Sequence, residues 1–154
     1  MIIKERWPFR QEWLDYVERS WQGRGRVELV SDESKERLAF QEEARQAFIR
    51  QGFNPKFVKT YLSVQEPEEG EGYASQYPHI HYPLDALTLI HYMQPGDKPA
   101  PLDVFDGVEK PGNVVETIYP EKGLTVFMPH TTWHGARKNN GTTNRIQLIA
   151  TALK

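Results

Sequence analysis

Three histidines and one arginine are the residues of this chain whose types and spacing suit chemistry. His79 and His81 stand one residue apart in "YPHIHYPLD" (77–85), and His134 follows in "PHTTWHGAR" (129–137). In an extended strand His79 and His81 share a face, about 6.5–7 Å apart along the chain. Such a pair chelates one divalent ion when a third group closes the triangle, and His134 is the candidate; Asp85 is the alternative to His81, as a carboxylate ligand. Three neutral imidazoles would leave positions open on the ion. The dipeptide Asn140-Gly141 is the strongest short hairpin signal in the chain. A two-residue turn there sets Ala136 opposite Arg145 and His134 opposite Gln147. His134 and Arg145 then share a side, with Cβ atoms about 7 Å apart, unless the register slips by one. The guanidinium would grip one carboxylate of a ligand that also chelates the metal. A dicarboxylate with a 2-keto group at one end fits that gap.

The elements that must position these residues change character at Pro55. Before it, Trp13, Tyr16 and Val17 share helical spacing and predict a short amphipathic helix near residues 10–21. "SDESKERLAFQEEARQAFIRQG" predicts a second helix, with Ser31 or Asp32 as cap, Gly52 just past its end and one buried stripe of Phe40, Ala44, Ala47 and Phe48. After Pro55 come short β-rich runs: "FVKTYLSV", "ALTLIHYM", "PLDVFD", "VVETIY", "LTVFM" and "RIQLIATAL". Six or more strands behind a helical leader predict an antiparallel sandwich or barrel of jelly-roll type. The acidic run "EPEEGEG" (66–72) reads as a solvated loop.

Composition narrows the function classes. The 154 residues suit a single domain, 1–154, with a helical part over 1–55 and a β core over 56–154. A net charge of −2 gives no footprint for nucleic acid, and the absence of cysteine excludes disulfides, thiolate metal sites and cysteine nucleophiles. No run is apolar enough to span a membrane, and the N-terminus lacks a signal-peptide core, so a cytoplasmic location is expected. Nothing in the sequence sets an oligomeric state.

Taken together, the motifs resemble the Fe(II)/2-oxoglutarate-dependent oxygenase superfamily. "HIH" (79–81) stands where that family has His-x-Asp. "LTLIHYM" (87–93) and "LDVFDG" (102–107) resemble two of its strands, "YPEKGLTVFMPHTTWHGAR" (119–137) the turn delivering the distal histidine, and "NRIQLIATALK" (144–154) the arginine-bearing final strand. The likeness covers roughly 57–154. It implies a mainly β, double-stranded β-helix (jelly roll) with one or two N-terminal helices packed outside. It implies Fe(II) held by His79 and His134, with His81 in place of the usual carboxylate. It also implies 2-oxoglutarate as co-substrate, bound through Arg145, with Tyr92 assisting and Gln147 where the family has serine or threonine. The activity implied is hydroxylation of a small molecule or an exposed peptide side chain.

The same stretch also resembles the two cupin motifs, in which His79, His81, Asp85 and His134 would all be ligands and 2-oxoglutarate would not be needed. A non-catalytic jelly-roll module is the third reading. Among the other candidates, His91 reads as a packing histidine facing away from Tyr92, and His130 as a turn residue. Trp133 reads as a pocket wall or packing aromatic, Tyr61 as interior, and Asp103 and Asp106 as hairpin or edge residues.

Overall fold

The computed structural model describes residues 2–21, 23, 26–28, 32–74, 78–80 and 85–154. In chain order the elements are β1 (Ile3–Arg6), α1 (Gln11–Trp21), β2 (Arg26–Glu28), α2 (Lys35–Arg50), β3 (Phe57–Gln65), β4 (Asp85–Gln94), β5 (Leu102–Phe105), β6 (Val114–Ile118), β7 (Leu124–Pro129), β8 (Trp133–Ala136) and β9 (Arg145–Leu153). They form a six-stranded sheet of order β1-β7-β4-β9-β3-β2 and a three-stranded sheet of order β6-β5-β8. The pairings are antiparallel. This is the jelly-roll sandwich anticipated above, with two helices on its outside.

Alternation along the strands divides the large sheet into two faces. On the helix side Val58, Leu62, Leu89, Phe127, Leu148 and Ala150 pack against Trp13, Val17, Phe40 and Phe48. On the other side Ile90, Tyr92, Val126, Met128 and Ile149 meet Leu102, Val104 and Ile118 of the small sheet. The stripe Phe40, Ala44, Ala47, Phe48 is fully buried. Gly52 ends α2 in the left-handed region, φ 86°, where a side chain would be strained.

Three expectations need correction. The cap of α2 is Ser34, whose hydroxyl accepts from Arg37 N–H. Asp32 is committed elsewhere: its carboxylate accepts from Ser34 N–H and from the Tyr16 hydroxyl, and Ser31 lies outside the described residues. The N-terminal part is not purely helical. β1 pairs with β7 and β2 with β3, so residues 1–55 supply both edge strands of the large sheet. Short, polar edge strands take their register from the neighbour and carry little pattern of their own.

The third correction concerns the hairpin at Asn140-Gly141. β8 pairs with β5, and β9 pairs with β3 and β4, so the two lie in different sheets. Gly141 does not have the positive φ that a type I′ turn demands of both central residues. Asn139 organises the segment instead: its side-chain oxygen accepts from Gly141 N–H, and its amide donates to the carbonyls of Gln65 and Thr143. Asp97 fastens the other side by accepting both backbone and hydroxyl donors of Thr142 and Thr143. The stretch is a crossover between sheets, held by side-chain-to-backbone bonds that compete successfully with a hairpin.

Candidate functional site

His134 sits on β8 opposite Val104 of β5, and Val104 belongs to the core between the sheets, so the histidine faces inward. On its other side His134 pairs with His79 in an isolated antiparallel bridge, with reciprocal N–H to carbonyl bonds of 2.9 and 3.1 Å. Residues paired in this way project side by side. The two imidazole centroids are 4.4 Å apart, with the rings inclined at 56°. His134 Nδ1 lies 2.8 Å from the Thr132 carbonyl, which can only accept. Nδ1 is therefore the donor, and in the neutral ring this puts the lone pair on Nε2, the arrangement a metal-binding imidazole needs.

His81 lies outside the described residues, as does the Asp85 side chain. Among the described residues no cluster of three His, Asp or Glu side chains forms a metal site. The structure thus brings two of the anticipated ligands, His79 and His134, face to face.

At the far end of the inner face, alternation along β9 sets Arg145, Gln147 and Ile149 on one side, and Tyr92 of β4 pairs with Gln147. Arg145 is only 1% exposed. Its Nη1 donates to the Ala100 carbonyl at 2.6 Å and its Nη2 to the Arg137 carbonyl at 3.3 Å. Among the described residues its Nε has no acceptor and no carboxylate pairs with it. Burial lowers the guanidinium's pKa from its ordinary value, against a smaller favourable influence of Tyr92. The Tyr92 phenol is pushed up to about 12 by burial, despite the nearby guanidinium, and so stays protonated. Gln147 Oε1 is buried without a donor. Turning that amide about its last bond would put an NH2 in the same place, a second donor on the face that carries Arg145.

A buried cation without a counter-charge is costly, and an orphaned donor adds to the cost. A bound carboxylate would remove both penalties, so these residues fit the distal end of a small dicarboxylate. The Arg137 carbonyl that holds the guanidinium lies three residues beyond His134, roughly 10 Å along an extended chain.

The remaining candidates fall elsewhere. His91 is on the helix side, fully buried against Trp7 and Trp13, with Nδ1 at 2.9 Å from the Thr125 hydroxyl. Burial, reinforced by Arg10, lowers its pKa to about 3. Trp133 donates to the Val108 carbonyl, His130 is half-buried in the turn after Pro129, and Tyr61 packs against the inter-sheet core. Asp106 closes the loop between β5 and β6 by accepting from Asn113 N–H. Asp103 is not a plain edge residue: it is buried and takes hydrogen bonds from Tyr73, Thr117 and Arg137. The available signal was its place between Leu102 and Val104, where a carboxylate on a β-rich run needs partners.

Comparison with known proteins first defines the class of fold. No family model matches the chain and no curated protein matches it in sequence. Solved structures do match in fold, among them prolyl hydroxylases and a member of the 2OG-Fe(II) oxygenase family from Burkholderia pseudomallei. A prolyl-4-hydroxylase from Pseudomonas putida superimposes with a TM-score of 0.70 at 9% identity, covering 99% of this chain and 92% of that one. The collagen prolyl hydroxylase vCPH of Paramecium Bursaria Chlorella virus-1 gives 0.63 at 13% identity, over 99% and 90% of the two chains. The non-heme, alpha-ketoglutarate-dependent epimerase SnoN of nogalamycin biosynthesis gives 0.68 at 15% identity, over 99% and 76%. At such identities the likeness is one of fold.

Proposed function

We propose that the protein is an Fe(II)- and 2-oxoglutarate-dependent dioxygenase that hydroxylates a small molecule or an exposed peptide side chain. The observation that carries this reading is Arg145, a buried guanidinium without a carboxylate partner among the described residues, on the inner face toward which the His79–His134 pair also turns. The fold neighbours support it: they include two prolyl hydroxylases, and SnoN has been captured with Fe3+, alpha ketoglutarate and nogalamycin RO.

In this reading His79, His134 and His81 hold the iron, while Arg145, Tyr92 and Gln147 hold 2-oxoglutarate. When bound, the pair supplies oxidising power: 2-oxoglutarate loses CO2 to give succinate as O2 is consumed and a substrate C–H bond becomes C–OH. The protein's own contribution is placement and exclusion of water. Arg145 offers Nε to the distal carboxylate from a fixed position, Tyr92 retains its proton for donation, and Thr132 fixes the His134 tautomer. The apolar belt of Ile90, Val126 and Ile149 keeps the space between the sheets dry. A cupin-type enzyme independent of 2-oxoglutarate, or a non-catalytic module, would use Arg145 as a strut between the sheets but would leave its Nε without an acceptor.

The test is succinate formation from 2-oxoglutarate with Fe(II) and O2. Wild-type protein should produce succinate. Arg145→Ala should reduce the rate about 100-fold or more at limiting 2-oxoglutarate, as expected when a buried ionic contact worth about 3–5 kcal/mol is broken. His134→Ala should abolish metal binding and turnover together. Metal binding indifferent to 2-oxoglutarate would overturn the co-substrate assignment, and a protein that binds no metal would overturn the enzyme.

A further inference from the structure

Among the described residues, two separate bridges and not a continuous ladder join the two histidine-bearing segments. Tyr73 pairs with Arg137 and His79 with His134, so six steps along one segment answer to three along the other. The His79–His134 bridge sets the rings side by side but is not continued in register to Tyr73–Arg137, so its position depends on what else ties the two segments together. A second constraint lies on the outer face of the small sheet. There the Asp103 carboxylate, 1% exposed, accepts from the Tyr73 hydroxyl at 2.9 Å, from Arg137 Nε and Nη2 at 2.8 and 3.1 Å, and from the Thr117 hydroxyl at 3.0 Å. Tyr73 stands six residues before His79, and Arg137 three after His134. Gly135 makes this possible, since a Cβ there would come within 2.9 Å of the Tyr73 ring.

We propose that Asp103 is a positioning residue for the metal centre: through Tyr73 and Arg137, one buried carboxylate fixes the chain segments that present His79 and His134 to each other. The inference rests on the reading of those histidines as metal ligands. Two further features strengthen it. Burial alone would push the Asp103 pKa up, but the bonds from Arg137, Tyr73 and Thr117 outweigh it and hold the carboxyl below its usual range, so the group stays charged. The backbone bond from Ala74 N–H to the Ala136 carbonyl, 2.8 Å, runs in the same direction as the side-chain latch. Thr117 belongs to β6, which carries neither histidine, so it shares the carboxylate without sharing the task.

That asymmetry supplies the test, read as Co(II) affinity from visible absorption, with thermal unfolding followed in parallel. Asp103→Asn should weaken Co(II) binding by about 10- to 100-fold, the range for groups that orient metal ligands. Tyr73→Phe should weaken it several-fold, and Thr117→Val should leave it unchanged, although all three lower the unfolding temperature. Wild-type affinity in both Asp103→Asn and Tyr73→Phe would overturn the proposal. So would a loss in Thr117→Val equal to that in Tyr73→Phe, because it would mean general loosening of the sheet. If Asp103→Asn does not fold, the comparison of Tyr73→Phe with Thr117→Val decides alone. Failure of the wild type itself to bind Co(II) would overturn the metal reading, a result distinct from any pattern among the variants.

Discussion

The two faces of the large sheet bury polar atoms in different ways. On the helix side the orphaned atoms include His91 Nε2, of a neutral imidazole wedged between Trp7 and Trp13, and Arg10 Nη1, whose guanidinium is answered by Glu43. On the inner side they include Arg145 Nε, on a full charge with no carboxylate partner among the described residues, Gln147 Oε1, and Gln65 Oε1 on the residue paired with Arg145, with the Tyr92 phenol on the strand paired to Gln147. A histidine escapes the cost of burial by giving up its proton. A guanidinium keeps its charge and five N–H donors, and needs acceptors for them. The helix face is therefore built for cohesion, and the inner face holds unsatisfied bonding capacity in reserve.

The contrast is most severely tested on the helix face. Phe40→Ala removes a fully buried ring and should cost about 3–5 kcal/mol in chemical denaturation, while the affinity of the folded fraction for 2-oxoglutarate stays at the wild-type value. A parallel loss of affinity would mean that the faces are not independent.

His91 gives a sharper signature. Its folded-state pKa of about 3 lies below the ordinary 6.5, so the unfolded chain binds the additional proton. Its contribution to stability is thus intact above about pH 6.5 and is lost as the pH falls toward 3, with a slope of up to about 1.4 kcal/mol per pH unit. His91→Leu should flatten that slope in urea titrations at pH 7, 5.5 and 4.5. An unchanged slope would show that other groups dominate acid unfolding.

The smallest effect has the opposite sign. Gln147→Met replaces an orphaned amide with an apolar side chain of similar size, and should raise stability by about 1 kcal/mol while weakening 2-oxoglutarate binding. Destabilisation instead would show that the amide already has a partner in solution.

Much of this arrangement was legible in the residues. The stripe of α2 and the six β-rich runs announce themselves by period, and they are the elements with the deepest burial. β1 and β2 do not, because "IKER" and "RVE" have too few apolar positions for a pattern and depend on β7 and β3 for their register. Arg145 was placed on the side of His134 through a hairpin that does not form. The alternation Arg145, Gln147, Ile149 along β9 turns it inward regardless. What misled was Asn140-Gly141, whose turn preference yields to the long-range bonds of Asn139 and Asp97. Most of these bonds, like those from Tyr73 and Arg137 to Asp103, join residues 30 or more positions apart, and no local spacing encodes them.

One consequence follows from the carbonyls of Ala100 and Arg137. They lie just before β5 and just after β8, on the chain of the small sheet, whereas Arg145 is rooted in the large one. The arginine is thus a strut across the sandwich whose torsional freedom is already spent. An anion arriving there would meet a charge aimed in advance, and its selection would fall to the backbone that does the aiming.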